Sequence, residues 1–257
     1  MIQMDLNADI GEIDGEAGRA LDRKILDVVT SCNIACGGHA GDENSMKATL
    51  TAAGERGVST GAHPSYPDRE NFGRVSLSIP AEILKDSLIR QVQSLVSIAK
   101  ASGQVIAHLK PHGALYNDAG KDRDLSGLIC EVADEFNIPV VYGLPNSELQ
   151  CAAVRAGLHF VAEGFTDRLY APDGSLTPRG EPGAVLESND EVTQQAVDLA
   201  VQGRVRASSG EMIDLSVQTL CLHGDTAGAS DLAAAIRNRL IESGVSLNAF
   251  SQEDRRA

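Results

Sequence analysis

The feature that most constrains the fold is the regular alternation of short apolar runs with longer amphipathic segments. Seven runs have the character of buried strands, at residues 3–9, 32–37, 58–63, 105–110, 139–143, 159–163 and 217–223. A repeated strand–helix–strand order favours parallel strands joined by right-handed crossovers. The sequence therefore predicts an α/β protein, either an open doubly wound sheet or a closed barrel. We favour a (β/α) barrel of about seven parallel strands.

The ends of the helical segments support this interpretation. The segment at 78–103 carries an apolar stripe and ends at Gly103, and another at 230–244 begins with Ser230 as its expected N-cap. No linker divides the chain, so we expect one barrel domain over residues 1–250 and a flexible tail at 251–257. An open dinucleotide-binding sheet is disfavoured, because "DIGEIDGEAG" after the first strand lacks the G-x-G-x-x-G spacing.

Charge and cysteine usage limit the partners and the compartment. The net charge of −14 argues against nucleic acid or an anionic membrane as partner, since both require a basic face. No apolar run approaches membrane-spanning length, and the N-terminus lacks the pattern of a signal peptide. An odd number of cysteines, five, mostly within apolar stretches, indicates reduced thiols. We therefore expect a cytoplasmic protein.

Ionisable side chains gather where the predicted strands end. By the two-residue period, Asp5, Asn7 and Asp9 share one face of the first strand, and His108 and Lys110 share one face of the fourth. Further groups follow the other strands: His39, His63, His112, Glu163, His223 and Asp225. The C-terminal ends of parallel strands meet at one rim, where enzymes of this architecture place their sites. Any one of these residues could be structural, but the cluster predicts a functional site.

Two long segments after strands, at 61–74 and 164–188, are rich in glycine, proline and arginine. Insertions of this size in a compact domain are usually functional lids. Their arginines could hold a carboxylate or a phosphate in bidentate fashion, and ordinary surface charge is the alternative. The residues concerned are Arg69, Arg74, Arg168 and Arg179.

Six strings in order resemble the LamB/YcsF family: "LNADIGE", "CNIACGGHAGD", "GAHPSYPDRENFGR", "HLKPHGALYN", "AEGFTDRLYAPDGSLTPR" and "LCLHGDT". They extend from Leu6 to Thr226 and so cover nearly the whole chain. The resemblance implies a seven-stranded barrel related to the glycoside hydrolase/deacetylase group. It also implies ATP-dependent opening of 5-oxo-L-proline to L-glutamate, in a complex with two further subunits, B and C.

The implied reaction suggests roles for the clustered residues. Lys110 and Arg168 would stabilise negative charge, Asp9 or Glu12 would activate water, and His112 would complete the catalytic set. Substrate binding is expected from Asn7, His39, His63, Arg69, Arg168 and His223. The deacetylase resemblance suggests a divalent metal on Asp9, His63 and His112.

Several alternatives stay open at this point. The chain has no G-x-x-x-x-G-K-[ST] phosphate loop, so ATP, with its magnesium ion, could bind on this chain or on one of its partners. A stand-alone metal-dependent amidohydrolase or deacetylase is a second interpretation. A non-catalytic scaffold that holds 5-oxoproline for its partners is a third.

Overall fold

The structure is a computed structural model that describes residues 2–222 and 228–250. Its strands are β1 (Ile2–Ile10), β2 (Ser31–Ala35), β3 (Ser59–His63), β4 (His108–Leu109), β5 (Val140–Gly143), β6 (His159–Phe165), β7 (Arg204–Arg206), β8 (Met212–Asp214), β9 (Thr219–Leu222) and β10 (Val245–Leu247). The expected tail at 251–257 and the expected site residue His223 lie outside the described residues, and the single-domain boundary at residue 250 stays a prediction.

Seven of these strands close a parallel barrel, which confirms the predicted fold. The order is β1-β2-β3-β4-β5-β6-β9, and β9 pairs with β1 to complete the ring. The closing register runs from Asp5 opposite Thr219 to Ala8 opposite Leu222. Strand β10 adds to the first residues of β1, and β7 and β8 form a separate antiparallel pair. The sequence did not predict these last three strands.

Helices follow the barrel strands and cover their outer surface. They are α1 (Gly15–Leu26), α2 (Glu43–Arg56), α3 (Ala81–Ala101), α4 (Gly113–Ala119), α5 (Arg123–Glu135), α6 (Glu148–Arg155), α7 (Asn189–Val197), which continues into a π-helical turn at Asp198–Gln202, and α8 (Ala229–Glu242). Within the described ranges, none of the helices combines the length and the apolar character needed to cross a bilayer.

The predicted cap of α8 is wrong. The N-cap is Gly228, with φ of 83°, and Ser230 lies inside the first turn. The chain enters this helix through the left-handed region, which glycine adopts without the steric cost that serine would meet. The other boundaries are close to expectation, since α3 ends two residues before Gly103 and buries Leu84, Leu88 and Leu95 of the predicted stripe.

The interior of the barrel is polar, which is unusual because branched aliphatic side chains dominate most barrels of this type. On β1, Leu6 and Ala8 face the helices, while Asp5 and Asn7 on the alternate positions are buried in the interior. Asp5 accepts hydrogen bonds from four hydroxyl groups, those of Thr30, Ser31, Tyr142 and Thr219. Burial raises the pKa of Asp5, and the four hydroxyl groups oppose that rise.

Candidate functional site

A buried lysine occupies the centre of the site. The Nζ atom of Lys110 lies 3.0 Å from Oδ1 of Asp9 and 2.8 Å from Oε1 of Glu163. It also donates to Sγ of Cys221 at 3.1 Å. The lysine side chain is 2% exposed, and those of Asp9 and Glu163 are 7% and 0% exposed. One cation therefore lies between two carboxylates on β1 and β6, strands that are separated in the ring only by β9.

Lys110 is a fixed positive charge. Burial acts to lower its pKa, but the carboxylates of Asp9 and Glu163 outweigh burial and hold the pKa well above the ordinary 10.5. A protonated ammonium group cannot act as a base. A buried ammonium group can stabilise negative charge on a ligand that enters the cavity.

Beneath the lysine, amide side chains tie the strands together. Asn7 on β1 donates to Oε1 of Glu163 at 3.0 Å and to the hydroxyl of Thr219 at 2.7 Å. Asn33 on β2 donates to Oδ1 of Asn7 and to Oδ1 of Asp9, at 2.7 and 2.8 Å. These bonds fix the orientation of Asp9 and Glu163 before any ligand arrives.

Above the lysine, three histidines and a glutamate form a second group, the histidine cluster of Glu12, His39, His63 and His112. One potential ligand atom from each residue lies within 4.8 Å of the others. The rings of His39 and His112 stack with centroids 3.6 Å apart, and the ring of His63 stands nearly perpendicular to that of His112, at 87°. Glu12, in the loop after β1, lies 3.0 Å from Nε2 of His39.

The imidazoles of His39, His108 and His112 favour the neutral form. Burial, and then the neighbouring histidines, hold the pKa values of His39 and His112 well below the ordinary 6.5. Burial and the charge of Lys110 lower the pKa of His108 to about 3. Neutral imidazoles can accept protons, orient water or bind metal ions.

A strained loop completes the cluster. Phe72, a non-glycine residue, has φ of 54°, a left-handed conformation that costs energy and persists where surrounding contacts enforce it. Its carbonyl oxygen lies 3.0 Å from Nε2 of His112, and its ring packs edge-on against His39 and His112. Gly113 allows the approach of this loop, because a side chain at that position would meet the backbone of Gly73.

Lys110 and three members of the histidine cluster, Glu12, His63 and His112, line one cavity of about 760 Å³, within the range of roughly 300–1,000 Å³ for small-molecule sites. Asp9, Glu12, Lys110 and His112 line it together with Phe165 from β6. The long segment after β6 forms part of the wall.

Most of the predicted site residues come together, and two arginines have other contacts. The residues brought into one place are Asn7, Asp9, Glu12, His39, His63, Lys110 and His112. Arg69 donates instead to the carbonyl groups of Gly37 and Gly41. Arg168 lines the cavity, but its Nε and Nη2 atoms donate to the carbonyls of Ala184 and Thr177 within the same long segment.

Three residues of the site had no role in the sequence interpretation. The sequence places Glu163 at the end of its strand without indicating a function for it, and it indicates none for Asn33 or Cys221. The two-residue period that identified Asp9 would also have placed Asn33 and Cys221 on inward positions of β2 and β9. No signal in the sequence points to Phe72, because its contribution is a backbone carbonyl.

Comparison with known proteins gives the family. A sequence model of the LamB/YcsF family matches residues 4–255. The A subunit of a 5-oxoprolinase from Tolumonas auensis is 43% identical over 251 residues, which are 97% of this chain and 100% of that relative. The corresponding 5-oxoprolinase protein from Bacillus subtilis is 42% identical over 98% of this chain and 99% of that relative.

A solved structure agrees with these relatives. The lactam utilization protein from Thermus thermophilus superposes with a TM-score of 0.87 at 34% identity, over 97% of this chain and 100% of that one. The match therefore extends over the barrel and the loops that build the site. This chain belongs to the LamB/YcsF family.

Proposed function

We propose that this chain is the A subunit of an ATP-dependent 5-oxoprolinase, which works with subunits B and C to open 5-oxo-L-proline to L-glutamate. The names of two relatives with more than 40% identity over nearly the whole chain support the activity and the presence of further subunits. The structural observation that carries the proposal is Lys110, a buried cation beside the carboxylate of Asp9 in the wall of the cavity.

The proposed reaction begins with activation of the lactam carbonyl group. A five-membered lactam is an unstrained amide, so water attacks its carbonyl carbon slowly. Transfer of the γ-phosphoryl group of ATP to the amide oxygen releases ADP and creates a better electrophile. One water molecule then adds to the carbon, and the C–N bond breaks with the nitrogen leaving as the amine. A second water molecule hydrolyses the resulting acyl phosphate to glutamate and phosphate.

The residues of the site match these steps. Negative charge develops on the amide oxygen, and Lys110 is positioned to stabilise it. Water needs a base, and the carboxylates of Asp9 and Glu12 face the same cavity. Without a bound metal ion, His112 can accept or return protons as a neutral imidazole. His39 holds Glu12 in place through the 3.0 Å contact.

The proposed reaction uses ATP with its magnesium ion as a cosubstrate. The cavity is larger than a five-membered lactam needs, and Arg74, Arg168 and Arg179 lie along its wall. Phosphate groups fit that positive charge. ATP as a cosubstrate also agrees with the cytoplasmic location that the reduced cysteines predict.

The test is glutamate release from 5-oxoproline, for this chain alone and with subunits B and C added. We expect little release by the isolated chain and ATP-dependent release by the complex. Glu12→Gln should lower the rate of the complex by about 10²–10⁴-fold if Glu12 is the base. Glu16→Gln is the matched control, because Glu16 pairs with Arg19 and Arg23 on the surface, and its rate should be unchanged. Full ATP-dependent turnover by the isolated chain would contradict the division between subunits.

A metal-dependent amidohydrolase that acts alone is the second candidate, and the histidine cluster favours it. Turnover without ATP that disappears after treatment with a chelator would support this candidate over the first. A complex that keeps its rate with both Glu12→Gln and Asp9→Asn would instead indicate a scaffold that only holds the substrate.

A further inference from the structure

Two histidine nitrogens face each other inside the histidine cluster. Nε2 of His63 lies 3.0 Å from Nδ1 of His112. The other nitrogen of each ring contacts a backbone carbonyl, since Nδ1 of His63 lies 2.8 Å from the oxygen of Lys110 and Nε2 of His112 lies 3.0 Å from the oxygen of Phe72. A carbonyl oxygen has no proton to give, so both outer nitrogens are donors. In the neutral rings, both facing nitrogens therefore carry lone pairs.

Two lone pairs at this distance repel unless an electrophile lies between them. We propose that the electrophile is a divalent transition-metal ion of the zinc class, bound by His63, His112 and Glu12. This inference goes beyond ring opening and does not depend on it. With the ion bound, Glu12 and His112 would be its ligands, and Asp9 would be the base for water in the proposed reaction.

Two of the three spacings between ligand atoms are close to those around such an ion, and the third, between Glu12 and His63, is wider. Oε1 of Glu12 lies 3.3 Å from Nδ1 of His112 and 3.9 Å from Nε2 of His63. Zinc bonds of about 2.0–2.1 Å in a tetrahedron place neighbouring ligand atoms roughly 3.3 Å apart. The His63 and His112 rings are nearly perpendicular, so both lone pairs can point at one position. Two nitrogen ligands also argue against magnesium, which prefers oxygen.

The surroundings of the two histidines are those of metal ligands. A histidine that binds a metal usually donates its second N–H to a carboxylate or a backbone carbonyl, which fixes the tautomer and the ring orientation. Both His63 and His112 have this arrangement. The left-handed conformation of Phe72 is the strain that places one of these carbonyls.

His39 has a different part in the cluster. Its ring is parallel to that of His112, at 5° and 3.6 Å. A metal ion lies in the plane of the imidazole that binds it, so an ion in the plane of His112 lies far outside the plane of His39. Nδ1 of His39 has no hydrogen-bond partner among the described residues, whereas its Nε2 contacts Glu12. His39 is therefore a positioning residue for Glu12.

Glu12 replaces Asp9 as the carboxylate ligand expected from the deacetylase resemblance. Oδ1 of Asp9 accepts hydrogen bonds from Lys110 and Asn33, and its charge is shared with the lysine. Only Oδ2 turns towards the cluster, 3.3 Å from Nε2 of His63. Three protein ligands at the floor of the cavity leave a coordination position for water or a substrate oxygen, as in catalytic zinc sites.

The experiment measures binding without substrate, ATP or partner subunits. The full chain is stripped with a chelator and titrated with Zn²⁺ by calorimetry and with Co²⁺ by visible absorption. We expect one equivalent of each ion, the intense visible bands of four- or five-coordinate cobalt, and a higher melting temperature in the presence of zinc. Added Mg²⁺ should not compete.

Variants locate the ion. His63→Ala and Glu12→Gln should each weaken zinc binding by more than about 100-fold, and His39→Gln by roughly 10–100-fold, as for an outer residue. His159→Ala is the matched control, because His159 stacks on Phe250 away from the cluster, and it should bind zinc as the parent does. If His63→Ala does not fold, Glu12→Gln alone tests the site, because Glu12 lies in a loop and its substitution should disturb folding less.

Two results would overturn the inference. One is the absence of stoichiometric zinc or cobalt binding, which would leave a shared proton between His63 and His112 as the electrophile. The other is binding that survives both His63→Ala and Glu12→Gln. Neither result bears on glutamate release by the complex, so failure of the metal site and failure of the proposed function are distinguishable.

Discussion

Removal of the charge on Lys110 should destabilise the barrel far more than removal of a surface lysine. In Lys110→Met the side chain keeps its approximate volume, but Asp9 and Glu163 lose a cation at 3.0 and 2.8 Å. At an effective dielectric constant of 20, each contact has a gross attraction of roughly 5–6 kcal/mol, and desolvation offsets much of it. Breaking a buried pair by removing one partner typically costs about 3–5 kcal/mol, which is the loss in unfolding free energy that we expect at neutral pH.

Urea unfolding of the parent and the variant measures this loss. The matched control is Lys85→Met, because Lys85 pairs with Glu131 at 2.6 Å on the surface, and it should have almost no effect. Adding Glu163→Gln to Lys110→Met should restore part of the lost unfolding free energy, because it removes one of the two buried charges left without a cation. The coupling free energy between the two substitutions should be about 0.5–3 kcal/mol.

The pH dependence gives an independent check. In the parent, the pKa of Lys110 is raised above 10.5, so its stabilising contribution is complete below that pH and is lost only as pH rises through the folded-state value. In Lys110→Met, a buried carboxylate that has lost its cation should take up a proton on folding. The loss in unfolding free energy relative to the parent should therefore be smaller at pH 5 than at pH 8. A variant that unfolds at the same urea concentration as Lys85→Met at both pH values would refute the reasoning.

Two further predictions concern stability. Burial raises the pKa of Asp22 to about 6 against an ordinary 3.8, so ionisation of Asp22 destabilises the fold as pH rises from below 4 through 6. In protein treated with a chelator, the unfolding free energy of Asp22→Asn relative to the parent should therefore increase by about 2–3 kcal/mol between pH 4 and pH 8, as measured by urea unfolding. A difference that does not change with pH would contradict this. Gly61→Ala should cost at least about 1–3 kcal/mol, because its methyl group would overlap the ring of His108. Its control, Gly127→Ala on α5, meets no neighbouring atom and should gain about 0.4–1 kcal/mol; equal melting temperatures for the two variants would contradict the packing argument.

The sequence predicted the barrel because its alternation and its inward polar positions obey simple periods. It failed where an apolar run does not pair. The predicted strand at 105–110 is reduced to His108–Leu109, and Val105 is 84% exposed, so hydrophobic character alone did not indicate strand pairing. The β7–β8 hairpin was missed for the opposite reason, since Val205 is the one buried residue of those two strands and no apolar run marks them.

The site was predictable for side chains at strand ends and not for those whose partners are backbone atoms. Lys110 and His112 follow a strand, so topology alone places them at the rim. Arg69 resembles a ligand-binding arginine in sequence, yet its guanidinium satisfies the carbonyls of Gly37 and Gly41. The direction of those carbonyls depends on loop conformations that no local period encodes, which is also why the contribution of Phe72 could not be foreseen.

The polar interior means that the same hydrogen bonds close the barrel and build the site. Asn7 joins β1 to Glu163 on β6 and to Thr219 on β9, so a loss of activity after its substitution would mix a weakened fold with a weakened site. Glu12 is different, because it lies in the loop after β1 and its side chain is 10% exposed. Substitution of Glu12 therefore reports on chemistry with the least contribution from stability, and the ratio of its activity loss to its stability loss should exceed that of Asn7.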